Sequence, residues 1–182
     1  SDEKIYANLT GFILSVIPKN HSHETCAVMI RVFRVLSAVS EGGYSMIDIS
    51  DRVPKSLTDR IVSAETAAEY FADGMTIGAS GFTPSGYPKA VPLAIAERMK
   101  KNPFKVNIWT GASTGPELDG ALAEAEGIKQ RLPYQTSTPL RNAINSGKVN
   151  YIDMHLSEVA QQSREGFLGK IDVALVEAVA IT

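Results

Sequence analysis

The sequence predicts an α/β protein built on a mostly parallel sheet that helices cover on both faces. Three observations support that class. From about residue 57 onward, short apolar runs alternate with helix-like stretches. Two of those runs enter small-residue loops, and the loops lead into helix openings. The chain of 182 residues is 44% apolar and 21% charged, an ordinary globular balance. A domain near ~150 residues buries roughly 70% of its extended-chain surface, so this length supports one proper core.

Each element has its own reason. "SAETAAEYFADG" (63–74) reads as a helix with Ser63 as N-cap, an apolar stripe of Ala64, Ala67, Ala68 and Phe71, and Gly74 as its end. "MTIGASGF" (75–82) reads as a buried strand running into a loop. "PKAVPLAIAERMKK" (88–101) is a helix with Pro88 near its start and Pro92 within the first turn or so. "FKVNIWTG" (104–111) is a second strand and "PELDGALAEAEG" (116–127) a second helix. "TPLRNAINSGK" (138–148) is a helix with Thr138 as N-cap, Pro139 at the first position and Gly147 as stop. "NYIDM" (150–154) is a short strand, "LSEVAQQSREG" (156–166) a helix, and "KIDVALVEAVAIT" (170–182) a long apolar strand. That last strand runs to Thr182, where a parallel sheet would be expected to continue. It reads either as an edge strand or as a chain cut inside a larger protein.

Residues 1–45 are different. They hold "NHSHET" and "SEGGYS" around one mixed run and show no clean period. They are expected to be an N-terminal extension, with the domain proper spanning 46–182 and Met46 as a possible natural start. His21, His23 and Cys26 are three potential metal ligands, but no fourth is evident, so a polar loop is the preferred reading. The net charge of −2 gives no basic footprint for nucleic acid. No apolar run approaches the ~20 residues of a membrane span. The N-terminus lacks the features of a signal peptide, and the single cysteine excludes an intrachain disulfide. A cytoplasmic protein is expected.

The two glycine loops carry the chemistry. Gly78 to Lys89 reads "GASGFTPSGYPK", and Gly111 to Gly120 reads "GASTGPELDG". Neither is a P-loop or a dinucleotide fingerprint. Small residues at the carboxyl end of a parallel strand let bare N–H groups approach an oxygen, and the helix opened by Pro116 adds its dipole. Such a loop suits a carboxylate, a phosphate or a developing oxyanion. A tight strand–helix turn explains the same glycines without a ligand.

"GASGFTPSGYPKAVPLAIAERM" followed by "WTGASTGPELDGALA" resembles the amino-terminal half of the acetyl-CoA hydrolase/transferase family, which includes succinyl-CoA:acetate CoA-transferases. The resemblance continues through "RLPYQTSTPLRNAINSGKVNYIDMHLSEVAQ" to "GKIDVALVEAVAIT", covering roughly residues 57–182. It implies a two-domain α/β enzyme in which a glutamate of the carboxyl-terminal half attacks the acyl-CoA thioester, followed by ping-pong exchange. It implies that the Ser113 amide supplies one oxyanion donor from this half, beside Gly111 and Ala112. It implies that Gly81, Phe82, Thr83, Gly86 and Tyr87 line the small-carboxylate side. The substrates implied are a coenzyme A thioester and a small carboxylate such as acetate or succinate, with no bound cofactor and no metal. The full-length enzyme is expected to be a homodimer. The nucleophile, its partner glycine amide and most of the CoA-binding segment would lie beyond Thr182, so this chain alone is expected to be inactive. Glu177 matches a structural position of the first domain rather than the nucleophile.

Other residues have plainer readings. Phe82 and Tyr87 suit the acyl chain or ordinary loop packing equally. Glu117 and Asp119 favour the dipole of the helix they open. Arg131 and Arg141 are not distinguishable from a solvated face. His155 reads as a hydrogen-bonded structural histidine. Competing functions are acetyl-CoA hydrolysis through the same intermediate and a non-catalytic module that binds small anions.

Overall fold

The computed structural model describes residues 53–178 other than 84, residues 180–181, and the strand backbones Phe12–Val16 and Ala27–Val32. The strands are β1 (Phe12–Val16), β2 (Ala27–Val32), β3 (Ile61–Val62), β4 (Thr76–Ala79), β5 (Val106–Thr110), β6 (Ile128–Leu132), β7 (Asn150–Tyr151) and β8 (Val173–Ala178). The helices are α1 (Ala64–Ala68), α2 (Ala90–Lys101), α3 (Ala121–Glu124), α4 (Thr138–Asn145) and α5 (Leu156–Arg164). Among the described residues the strands form one sheet in the order β3-β1-β2-β8-β4-β5-β6-β7. From β2 to β7 every neighbouring pair is parallel, and β1 pairs antiparallel with β2 and β3. The mostly parallel α/β class read from the sequence is the class observed.

The chain order explains the layers. β4, β5, β6 and β7 each step one strand further from β8. Right-handed crossovers therefore put α2, α3 and α4 on one face. α1 packs on α2 in the same layer. Under that layer lies the core, with Phe71, Ile77, Ile95, Met99, Ile108, Leu118, Leu122, Val173 and Leu175 all essentially excluded from solvent. Full burial of each such side chain stabilises by roughly 1.5–3 kcal/mol. The return from β7 to β8 runs the other way, which places α5 on the opposite face. Ile171, just before β8, covers Gly78 there: a Cβ on Gly78 would come 3.1 Å from the Ile171 Cδ1.

Several boundaries differ from expectation. α1 is capped by the Ser63 side chain, which accepts from the Thr66 N–H, but it stops at Ala68 rather than Gly74. Arg98 Nη1 donates to the carbonyls of Ala68 and Phe71, drawing that segment out of the helix. Gly74 does end the turn, at φ +81°, and its N–H donates to the Lys105 carbonyl. The N-cap of α4 is Ser137, one residue before the expected Thr138. Gly147 is the stop as expected, at φ +74°. The helix opened by Pro116 starts with a π turn, Pro116–Gly120, before becoming α3. β6 was not foreseen at all. β8 is shorter than the run 170–182 and is no edge strand, because it lies between β2 and β4. β1 and β2 fall in residues 1–45, where the sequence showed no strand period, and β2 pairs with β8 over six register positions. Among the described residues no helix is long and apolar enough to cross a membrane.

Candidate active site at the carboxyl edge of the sheet

Parallel strands deliver their following loops to one edge, which is where open α/β sheets bind ligands. The loop 80–89 leaves β4, the loop 111–115 leaves β5, and the loop 133–137 leaves β6. The strand order doubles back at β8–β4, so the β4 loop also meets the end of β8.

The β5 loop is tightly held. Ala112, Ser113 and Thr114 are buried. Asp119, in the π turn, accepts from the Thr114 N–H at 3.1 Å. Arg131 on β6 meets Asp119 through a two-pronged ion pair, Nε to Oδ1 at 2.9 Å and Nη2 to Oδ2 at 3.0 Å, and both side chains are 0% exposed. Arg131 Nη2 also donates to the Ala112 carbonyl at 3.1 Å, and the Thr110 hydroxyl donates to that same carbonyl. The Ser113 hydroxyl bonds with the Thr136 hydroxyl, tying the β5 loop to the β6 loop. Among the described residues the Ser113 N–H has no acceptor. Removing one member of a buried ion pair typically costs about 3–5 kcal/mol, because the other charge is left uncompensated.

The β4 loop combines an exposed tip with an anchored base. Phe82 and Ser85 pair across a tight turn. At its tip Thr83 has φ 55°, and Phe82 is 65% exposed. At its base Tyr87 is buried, and its hydroxyl donates to Glu117 at the start of the π turn. Burial, and then the Glu117 carboxylate, raise the Tyr87 pKa well above its ordinary value. Lys89 Nζ lies 4.2 Å from the Tyr87 ring centroid, donates to the Tyr87 carbonyl and pairs with Glu177 of β8 at 3.2 Å. Ser80 completes the junction, donating to the Gly86 carbonyl at 2.7 Å and accepting from the Glu177 N–H at 3.0 Å.

Glycine lets the two loops approach. Gly81 sits at φ +125°, and a Cβ there would lie 2.5 Å from the Tyr87 Cβ. A Cβ on Gly111 would come 3.3 Å from the Gly81 carbonyl oxygen. A Cβ on Gly115 would land on the Tyr87 hydroxyl. The fold thus brings Gly81, Tyr87, Gly111, Ala112 and Ser113 together, while Phe82 and Thr83 point outward from the loop tip. Gly86 supplies a positive φ of 68° and the carbonyl that Ser80 holds.

Four residues gain roles that the sequence did not reveal. Arg131, read as indistinguishable from a solvated side chain, is fully buried. Asp119 and Glu117 bond to Arg131 and Tyr87 respectively, beyond any effect on the helix dipole. Thr136 was not singled out. Strict alternation from Ile128 would place Gln130 rather than Arg131 on the same face; a register irregularity between β5 and β6 brings Arg131 opposite Ile108 instead, so the sequence carried no signal for it. Arg141 is exposed and donates to the Thr136 carbonyl. His155 is the structural histidine expected, its Nδ1 bonded with the Ser157 hydroxyl at the cap of α5. His21, His23 and Cys26 lie outside the described residues.

Residues 46–182 match the family model of the acetyl-CoA hydrolase/transferase N-terminal domain. The chain is 46% identical over 128 residues to the succinyl-CoA:acetate CoA-transferase of Clostridium kluyveri, a match covering 69% of this chain and 24% of that protein. It is 46% identical over 125 residues to the propanoyl-CoA:succinate CoA transferase of Escherichia coli K12, covering 66% and 25%. It is 35% identical over 150 residues to the acetyl-CoA hydrolase of Schizosaccharomyces pombe, covering 71% and 29%. The chain therefore spans about a quarter of the length of the curated relatives it matches. Among solved structures, an acyl-CoA transferase apoenzyme from Escherichia coli O157:H7 shares the fold, with TM-score 0.52 and 19% identity over 68% of this chain and 24% of that one.

Proposed function

The chain belongs to the acetyl-CoA hydrolase/transferase family, of which it carries the amino-terminal domain, and from that premise we propose that it serves an acyl-CoA:carboxylate CoA-transferase. Its part is to stabilise the tetrahedral oxyanion through the Ser113 N–H and to form one wall of the carboxylate pocket with the β4 loop. The observation that carries this reading is the Ser113 N–H itself. The Ala112 carbonyl before it and the Thr114 N–H after it are bonded inside the protein, while the Ser113 N–H has no acceptor among the described residues.

The chemistry follows from that placement. A carboxylate attacks the thioester carbonyl carbon, the carbonyl oxygen takes the negative charge, and the C–S bond then breaks to release the CoA thiolate. A loop amide aimed at that oxygen stabilises the charge as it develops and needs no side-chain reorganisation. In this reading the attacking glutamate and the second amide donor come from a carboxyl-terminal domain outside this chain, so the chain alone turns over no thioester. Acetate and succinate are the proposed carboxylates, acetyl-CoA and succinyl-CoA the proposed thioesters, and the full enzyme is proposed to be a cytoplasmic homodimer. The resemblance to acetyl-CoA hydrolases supports a second reading in which water resolves the same acyl intermediate.

The test uses the full-length protein that carries this domain, with acetyl-CoA plus succinate assayed for succinyl-CoA. Ser113→Ala keeps the amide and should be mild. Ser113→Pro removes it and should lower kcat by about 10²–10³, the scale for one oxyanion donor. Equal harm from alanine would assign the work to the hydroxyl instead. The domain unit is read as 46–182, with residues 1–45 an added segment. Deleting them should move the melting temperature by only a few degrees, and a larger fall would make the β2–β8 ladder integral.

A further inference from the structure

We propose that the buried Arg131–Asp119 ion pair is a positioning device that aims the Ser113 N–H, an inference that rests on the oxyanion reading above. The reasoning begins with peptide geometry. The Ala112 carbonyl and the Ser113 N–H belong to one planar unit, and in a trans peptide they point in opposite directions. Fixing the carbonyl therefore fixes the direction of the N–H. Arg131 Nη2 holds the Ala112 carbonyl at 3.1 Å, with the Thr110 hydroxyl as a second donor. The next peptide unit is fixed by Asp119, which accepts from the Thr114 N–H at 3.1 Å. The same ion pair thus grips the chain on both sides of Ser113, and the amide between the two grips is turned away from the guanidinium.

The choice of residues fits this role better than a stabilising one. A fully desolvated ion pair can often be replaced by apolar side chains of similar volume without loss of stability. Apolar side chains could fill the volume, but they could not bond a carbonyl and an N–H at once. Arginine is the side chain whose planar fork meets a carboxylate with two bonds and still has a donor for the carbonyl. The η-nitrogen that bonds Asp119 Oδ2 is the one that reaches Ala112. Arg131 and Asp119 act through the loop, and neither needs to touch substrate.

The test is kinetic and uses the full-length protein. Arg131→Lys keeps the charge but loses the fork. It should lower kcat by about 10–100-fold, the range for misplacing a reacting group by about an ångström, and leave KM for the acyl-CoA within about twofold. The decisive readout is the same substitution in a Ser113→Pro background. With the amide already gone, Arg131→Lys should cost less than about twofold more. An equal loss in both backgrounds, or no loss in a folded Arg131→Lys protein, overturns the inference. If Ser113→Pro alone leaves kcat unchanged, the oxyanion reading falls first and this inference with it. Should Arg131→Lys fail to fold, the double replacement Asp119→Leu with Arg131→Met is read in the same way. Amide exchange in the unaltered protein gives an answer that needs no variant: the Thr114 N–H should exchange at least ~100-fold more slowly than an unprotected amide, and fast exchange there overturns the inference.

Discussion

The β4 loop and the β5 loop leave neighbouring parallel strands and meet at the same edge, yet they are built by opposite means. The β5 loop is short and buried, and a charged pair from the following helix and strand holds it. The β4 loop is longer. Its base is locked by Tyr87, while its tip carries Phe82 into solvent. Under the proposed function, the fixed backbone groups of the β5 loop suit a charge that must be met in one direction, and the exposed tip of the β4 loop suits a wall that selects among substrates. Tyr87 joins the two, because its backbone and Cβ fill the space beside Gly81 and its hydroxyl fills the space beside Gly115.

The largest effect on this arrangement is expected from Gly115→Ala. Gly115 has φ −96°, so its backbone suits any residue, and only space forbids a side chain. The added methyl would collide with a tyrosine hydroxyl that Glu117 holds in place. Overpacking of this kind typically costs about 1–3 kcal/mol, and the urea midpoint should fall accordingly. Adding Tyr87→Phe should relieve only part of the loss, because the ring carbons also stand too close. An unchanged midpoint for Gly115→Ala would mean that Tyr87 moves freely, and the coupling of the loops would be lost as an explanation.

Tyr87→Phe alone should come next. A hydrogen bond to a charged acceptor contributes about 1.5–3 kcal/mol, and partial exposure of Glu117 places the effect at the lower end. The pH dependence gives a sharper signature. The Tyr87 hydroxyl is held protonated more strongly in the fold than in the unfolded chain, where its pKa is near 10.0. Its contribution is therefore complete below about pH 10 and is lost as the pH rises toward the folded value. Stability curves between neutral and alkaline pH should show a shallower alkaline limb in Tyr87→Phe. Tyr151 is shifted in the same direction, so the limb is reduced rather than abolished. An identical limb in both proteins would place the titration elsewhere.

The smallest effect on stability is expected from Phe82→Ser. A side chain 65% exposed has little burial to lose, and such surface changes usually stay within about 0.5 kcal/mol. If the β4 loop is a selecting wall, the same change should alter the ratio of kcat/KM for acetate over succinate in the full-length protein while melting stays constant. A marked loss of stability would show that the tip packs more firmly than its exposure suggests.

The sequence made the path of the β5 loop legible but not what holds it in place. Glycines, Pro116 and the apolar run of β5 marked a strand, a tight loop and a helix opening, and Ser63 capped α1 as expected. What holds the β5 loop was not legible. Lys129-Gln130-Arg131 looks like surface, and only the pairing of β6 with β5 shows that Arg131 faces the buried side, opposite Ile108. Its partner Asp119 lies twelve residues earlier, in a helix turn where an acidic residue already has an adequate local explanation. A buried charge leaves no apolar trace, so hydrophobic periodicity does not find it. The early end of α1 was hidden for a similar reason. Arg98 competes for its carbonyls from another helix, and no local propensity encodes that contact.

The central position of β8 has a consequence for how the polypeptide is made. β4 emerges from the ribosome nearly a hundred residues before its neighbour, as the Thr76–Asp172 hydrogen bond with a separation of 96 residues illustrates. Until β8 is synthesised, β4 has β5 on one flank and an unsatisfied ladder on the other, between two portions of sheet that cannot yet join. Contacts of such long sequence separation close slowly, and unpaired strand edges expose a nascent chain to aggregation. During synthesis β4 therefore carries an open ladder until the strand that closes it has been made.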